Sequence, residues 1–176
     1  MGSIAAPLRD RFGVICHLEF YTPEELQIIV ERAAEILKVT IDPEGAYEIG
    51  RRSRGTPRVS NRLLKRVRDF AEVGGHDTIT RDVCRDAMKR LEIDDLGLDQ
   101  NDRRLLKKLV KDFGGRPVGV DTLAASLNEE TETLEDVYEP YLMQLGMLQR
   151  TPKGRQATLA AYQYLGVPYP REDGSK

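Results

Sequence analysis

Three times in the first third of the chain a capping residue is followed at once by proline: Thr22-Pro23, Asp42-Pro43 and Thr56-Pro57. A Thr or Asp side chain accepts a hydrogen bond from an orphan amide of the first helical turn, and proline is suited to the first helical position. Each pair therefore restarts a helix at a definite residue, and this part of the chain cannot run as one long helix. Glu25 follows Thr22 at the spacing of a capping box. Apolar residues then recur at helical spacing: Leu26, Ile29, Val30, Ala33 and Leu37 in the first helix, Ala46 and Ile49 in the second, and Val59, Leu63, Leu64, Val67 and Phe70 in the third. The third helix ends near Gly74-Gly75. Thr80 opens a fourth, with Val83, Ala87 and Leu91 on one side. Four short helices with brief connections predict a small antiparallel helical bundle over roughly residues 22–92.

The second half has a different punctuation. A turn or linker over 92–99 leads to a helix over 101–113, with Leu105, Leu106, Leu109 and Val110 apolar, broken by Gly114-Gly115-Arg116-Pro117. Val118–Val120 reads as a short extended link. Asp121 is positioned to cap a short helix over 122–127, and a longer helix follows over 131–145, in which Pro140 predicts a kink or a one-turn break. Residues 147–151 and 155–158 flank the turn Pro152-Lys153-Gly154 and predict a hairpin. A last helix covers 160–165, and 168–176 is expected to be a disordered tail. Helix, short helix, longer helix and hairpin in that order predict a winged helix-turn-helix. Ahead of both units, 1–13 lack apolar pattern and 14–21 predict a lone strand that needs a partner.

Charge decides what such a fold can touch. The net charge is −2, so any basic site must be local. The helix over 131–145 and its approach carry Glu129, Glu130, Glu132, Glu135, Asp136 and Glu139, which argues against insertion beside DNA phosphates. Between Pro140 and Arg171 no acidic residue occurs, and the hairpin carries Arg150, Lys153 and Arg155. These cations can reach backbone phosphates, or they can be an ordinary charged hairpin. In the basic stretch 48–68, Arg58 sits in the first turn of the third helix, where a cation is unfavourable for the helix dipole. It either contacts an anion or belongs to a solvated basic face.

No self-contained catalytic chemistry is legible. Gly50 and Gly55 have the glycine spacing of a P-loop, but Thr56-Pro57 stands where Lys-Ser or Lys-Thr is required. No Ser/His/Asp arrangement, H-E-x-x-H or G-x-G-x-x-G occurs. Cys16, Cys84, His17 and His76 are too dispersed for structural zinc or a disulfide framework. No segment approaches the length of an apolar membrane span.

PLRDRFG, LEFYTPEEL, RRSRGTPRVSNRLLKRVRDFA, DTLAASLNEE, EDVYEPYL and QRTPKGR, in this order, resemble the bacterial Holliday junction branch migration ATPases of the RuvB family. The resemblance runs from residue 3 to about 167. It implies a AAA+ protein represented by the end of its large ATPase domain (1–21), a helical lid (22–95) and a C-terminal winged-helix domain (96–167). Walker A, Walker B, sensor 1 and the RuvA-docking hairpin of the family have no counterpart, so the chain alone is expected to hydrolyse nothing. A longer native protein is the expectation, because the sequence begins in mid-domain. The resemblance implies ATP with magnesium as cofactor, a hexameric ring, DNA, RuvA-like and RuvC-like partners, and a cytoplasmic location. It assigns Arg11, with Arg9 as fallback, to the arginine finger that stabilises charge on the γ-phosphate of a neighbouring subunit's ATP. Tyr21 and Arg58 fall on the nucleotide-contacting tyrosine and sensor 2, and Arg150 and Arg155 on DNA-contacting wing arginines. Thr131 stands where the family usually carries another DNA-contacting arginine. The competing expectation is a non-enzymatic winged-helix module that binds DNA or protein. A regulator that reads sequence would place basic or amide side chains on its recognition helix, where this chain places acids.

Overall fold

The computed structural model describes residues 20–171. The chain falls into two units that part between Gly97 and Leu98.

The first unit is the expected bundle: α1 (Pro23–Leu37), α2 (Pro43–Arg51), α3 (Pro57–Val73) and α4 (Arg81–Leu91). All four starts follow from cap chemistry. Thr22 accepts from the Glu25 amide and Glu25 accepts from the Thr22 amide, both at 3.2 Å. Asp42 takes the Gly45 amide at 2.7 Å, Thr56 the Val59 amide at 3.2 Å, and Thr80 the Val83 amide at 3.3 Å. The core draws Val30, Ile49, Leu64, Val67, Cys84 and Met88 together from all four helices. The α1 stripe is narrower than its spacing predicts. Leu26, Val30 and Ala34 are buried, whereas Ile29, Ala33 and Leu37 are only half-buried. The Ile79 amide donates to the Thr40 carbonyl at 2.9 Å, and the Asp42 amide donates to the Ile79 carbonyl at 3.1 Å. These two bonds join the α1–α2 and α3–α4 connections. They require glycine at position 45, because a Cβ there would collide with the Ile79 carbonyl oxygen.

Cys84 is fully buried and directs its Sγ at the Gly45 carbonyl, 3.4 Å away. Burial first, and then the negative charges of Glu48 and Asp42, push its thiol up to about 12. Since the thiolate is the nucleophile, Cys84 in the native fold is expected to resist iodoacetamide at neutral pH and to react on unfolding. Labelling followed by mass spectrometry checks this; native-state modification at the rate of an exposed thiol would contradict it. Cys16 lies outside the described residues.

The second unit is a winged helix. α5 runs over Gln100–Lys107 and continues as a π-helical turn, Lys108–Asp112. α6 is Val120–Leu127. α7 begins at Thr131–Thr133, passes through a π-helical segment, Leu134–Tyr138, and resumes over Glu139–Gln144. β1 (Leu148–Thr151) and β2 (Gly154–Ala157) form the antiparallel hairpin, with Arg150 opposite Arg155, and α8 is Leu159–Leu165. The core packs Leu105, Leu106 and Leu109 of α5 with Leu123, Leu134 and Leu142. Val118 exchanges backbone hydrogen bonds of 2.8 and 2.7 Å with Arg155, so the predicted extended link lies beside β2. Gly154 has φ +134°, and a Cβ there would collide with the Val118 carbonyl.

Three local expectations are corrected. Asp121 does not cap α6; Gly119 holds that position without a side-chain bond, and Asp121 lies in the first turn. Pro140 does not break α7 but is preceded by the π-helical segment, in which the Glu139 amide reaches back to the Leu134 carbonyl. One wider turn accommodates a residue that has no amide hydrogen and whose ring crowds the preceding turn. The expected disorder from residue 168 does not hold at Tyr169. Its ring meets that of Tyr162 edge-on, with centroids 4.9 Å apart. The predicted strand over 14–21 lies outside the described residues except at its last positions, of which Tyr21 is not in a strand. Residues 172–176 of the tail also lie outside.

Candidate functional site

Arg150 and Arg155 face each other across the hairpin, on one side of the two-stranded ladder. Like charges so placed repel. The structure puts a carboxylate between them. Glu139 of α7 is fully buried, and its Oε2 accepts from Arg150 Nε at 3.1 Å and Nη2 at 2.7 Å. Its Oε1 accepts from Arg155 Nε at 2.8 Å, and Glu135, one turn earlier, lies 3.4 Å from Arg155 Nη2. Charge-assisted bonds of this kind hold side chains in fixed positions.

The three hairpin cations are therefore not equivalent. The Arg150 side chain keeps 47% of its surface exposed, and that of Arg155 only 16%. Lys153 is exposed at the turn, where its own amide donates to Thr151 Oγ1 at 3.2 Å. Arg155 is mainly an internal tie, whereas Arg150 and Lys153 present positive charge outward. The local field is also not uniformly positive, as the acid-free run 141–170 suggests, because Glu135 and Glu139 enter it from α7. The helix acids read as a barrier to DNA thus include one that is buried and neutralised. Thr131, at the start of α7, donates its hydroxyl to Asp121 Oδ1 at 2.9 Å.

In the bundle, Glu48, Arg51, Arg52 and Asp95 form an ionic network. Arg51 Nη2 and Arg52 Nη2 lie 2.5 and 2.8 Å from Glu48 Oε1, and Arg52 also reaches Asp95 at 3.0 Å and the Ile93 carbonyl at 3.2 Å. Burial alone would raise the Glu48 carboxyl, but hydrogen bonds from Arg51 and Arg52 outweigh it and hold the carboxyl at about 2. The hydrogen bond to Glu48 in turn raises Arg51 above its ordinary value. The network fixes the end of α2. The chain then turns through Arg54 and Gly55, both at positive φ, into the Thr56-Pro57 start of α3. The Tyr21 amide donates to the Gly55 carbonyl at 2.9 Å, and a Cβ on Gly55 would meet the Phe20 side chain. Tyr21, half-exposed, is thereby tied to the turn that carries Arg58. Arg58 is exposed and makes no hydrogen bond or ion pair among the described residues. Of the basic stretch 48–68, the structure neutralises Arg51 and Arg52 and leaves Arg58 outward. Arg9 and Arg11 lie outside the described residues. No group of three His, Cys, Asp or Glu side chains suited to a metal occurs among the described residues, and no helix among them is long and apolar enough to cross a membrane.

Glu139 is the functional residue that sequence reasoning missed in its proper role. A signal was present. Glu135 and Glu139 are four residues apart in one helix, the spacing that stacks side chains on one side.

Residues 21–94 match the family model described as the RuvB AAA lid domain, and residues 95–166 match the RuvB C-terminal winged helix domain. Two curated proteins from strains of Chloroflexus aurantiacus, each described as Holliday junction branch migration complex subunit RuvB, are 59% identical over 167 residues, covering 95% of this chain and 48% of theirs. The solved structure of the Thermotoga maritima RuvB Holliday junction branch migration motor matches with TM-score 0.83 and 49% identity, over 86% of this chain and 51% of that one. The chain spans about half the length of the curated relatives it matches.

Proposed function

Because the chain belongs to the RuvB family through both of its units, we propose that it supplies the nucleotide-sensing lid and the DNA-contacting wing of an ATP-driven branch migration motor acting on Holliday junctions. The observation that carries this reading is the fixed, outward Arg150. A buried carboxylate orients its guanidinium, and nearly half of the side chain stays in solvent beside exposed Lys153. A pre-positioned cation pair on a hairpin can follow a phosphate backbone without reading bases. A motor that moves along DNA regardless of sequence needs that kind of contact. The acids of α7 disfavour base readout from the major groove.

On the lid, Tyr21 and Arg58 would hold the nucleotide, the ring packing near the base and the guanidinium meeting phosphate. ATP with magnesium supplies the phosphoryl-transfer chemistry when bound. The tie between the Tyr21 amide and Gly55 makes one local unit of the two contact residues, so movement of either would be passed to the other. Arg11 would act as the arginine finger toward a neighbouring subunit. Assembly into a hexameric ring, cooperation with RuvA-like and RuvC-like proteins, and action in the cytoplasm belong to the same reading.

The test is binding to a four-way junction and to plain duplex across a salt series. Changing Arg150→Ala and Lys153→Ala together is expected to weaken both complexes about equally. It should also lower the slope of log affinity against log salt by about 2, one unit for each phosphate no longer neutralised. An unchanged affinity and slope would remove the wing from the DNA interface and favour the hairpin as a structural or protein-binding element.

A further inference from the structure

The winged-helix unit has a second concentration of positive charge, on α5. Arg103, Arg104, Lys107, Lys108 and Lys111 alternate with the buried pairs Leu105–Leu106 and Leu109–Val110, and no acid occurs between Asp102 and Asp112. Asp102 is itself buried, with its carboxylate turned back to the Asp99 amide at 3.0 Å. The five cations line an open groove of about 570 Å³. Arg103 and Arg104 are anchored at its head by bonds to the Leu98 carbonyl (3.0 Å) and the Leu127 carbonyl (2.6 Å). Lys108 pairs with Asp112 at 2.8 Å. Lys107 and Lys111 are exposed and make no ion pair among the described residues.

An ordinary solvated helix face mixes signs, and opposite charges four residues apart help it. Here Arg103–Lys107, Arg104–Lys108 and Lys107–Lys111 are all like-charged pairs at that spacing. Each destabilises the helix. Asp112, at the end of the run, pairs with Lys108 and offsets part of this repulsion. An external anion relieves that repulsion, and a chain of anions relieves it along the whole ridge. Successive cations four residues apart advance by ~6 Å, so the ridge offers a row of charges rather than a single pocket. Lysines dominate its exposed part, and they act as point charges that attract phosphate without reading bases.

We propose that the α5 ridge is a second, sequence-independent contact for the nucleic-acid backbone, made by residues separate from the wing. It rests on the reading that this chain works on DNA, but not on the wing being the contact. The test uses the full chain, a fluorescent duplex of arbitrary sequence and a salt series. It compares the triple variant Lys107→Gln, Lys108→Gln and Lys111→Gln with the Arg150→Ala, Lys153→Ala pair and with all five changes combined. The expected result is a lower salt slope in the triple variant, by up to about 3, with affinity reduced about tenfold or more and the remaining binding abolished when the wing changes are added. An unchanged slope and affinity in the triple variant overturns the proposal while leaving the wing reading intact. Weakened binding in the triple variant with none in the wing pair upholds it and removes the wing. Polyglutamate is the competing probe: if it displaces duplex from the ridge at equal charge concentration, the partner is an acidic protein segment and the nucleic-acid assignment falls. Thermal melting controls for folding. Should the triple variant melt early, the single exposed change Lys107→Glu is read instead, with a lower slope expected and an unchanged one overturning the proposal.

Discussion

Replacing Glu48 by alanine is expected to cost the lid bundle about 3–5 kcal/mol, the range for removing one partner from a buried ion pair. The Glu48 side chain is 3% exposed and serves Arg51 and Arg52 at once. Without it, Arg52 stays buried with only the Ile93 carbonyl and the exposed Asp95 to satisfy it. The same pairing gives a pH dependence. The carboxyl is held at about 2 in the fold, against 4.5 as its ordinary value. A depressed carboxyl contributes stability that is fully present above its unfolded value and disappears as pH falls through the folded one. The bundle should therefore lose roughly 3 kcal/mol between about pH 5 and pH 2. Denaturation with amide exchange in α2 and α3 measures both effects. Glu48→Gln should remove most of the acid sensitivity while keeping part of the packing. A Glu48→Ala variant within about 1 kcal/mol of the parent would show that the network adds nothing net.

The second large effect is expected at Glu139. Alanine there leaves Arg150 and Arg155 facing each other across the hairpin without the buried carboxylate that separates them. A destabilisation of about 3 kcal/mol is expected for the winged-helix unit, below the upper end for a buried pair because Arg150 can turn to solvent. Hairpin amides should lose exchange protection before those of α5. DNA affinity is expected to fall although net charge becomes more positive, because the cations are no longer held in place. That sign separates orientation from simple attraction, since attraction alone predicts tighter binding. Unchanged hairpin protection together with tighter DNA binding would falsify the role given to Glu139.

Much of the fold was legible because its signals are short. Thr22, Asp42, Thr56 and Thr80 each satisfy an amide within three residues, so the sequence names the helix starts without knowledge of the partner helices. The hairpin was legible for the same reason, since Pro152-Lys153-Gly154 closes it locally. Asp121 shows the limit. It looks like a cap, but the backbone starts α6 two residues earlier than that cap implies and leaves the carboxylate to accept from Thr131.

The candidate sites were legible as residue types and less so as arrangements. Arg58 was marked by an unfavourable place at a helix start, and it is exposed. That Tyr21 is tied to its turn could not be read, because the Gly55 carbonyl lies far along the chain. By itself the sequence determined the helix starts of the bundle, the order helical bundle then winged helix, and the identity of the cations. Each depends on neighbours within a few residues or on composition. Only the tertiary structure decided which cations are free. Glu139 reaches Arg150 and Arg155 from another element, and Asp95 reaches Arg52 across the bundle. The availability of a charge depends on what lies within about 4 Å of it in space, and a linear count of acids and bases does not contain that distance.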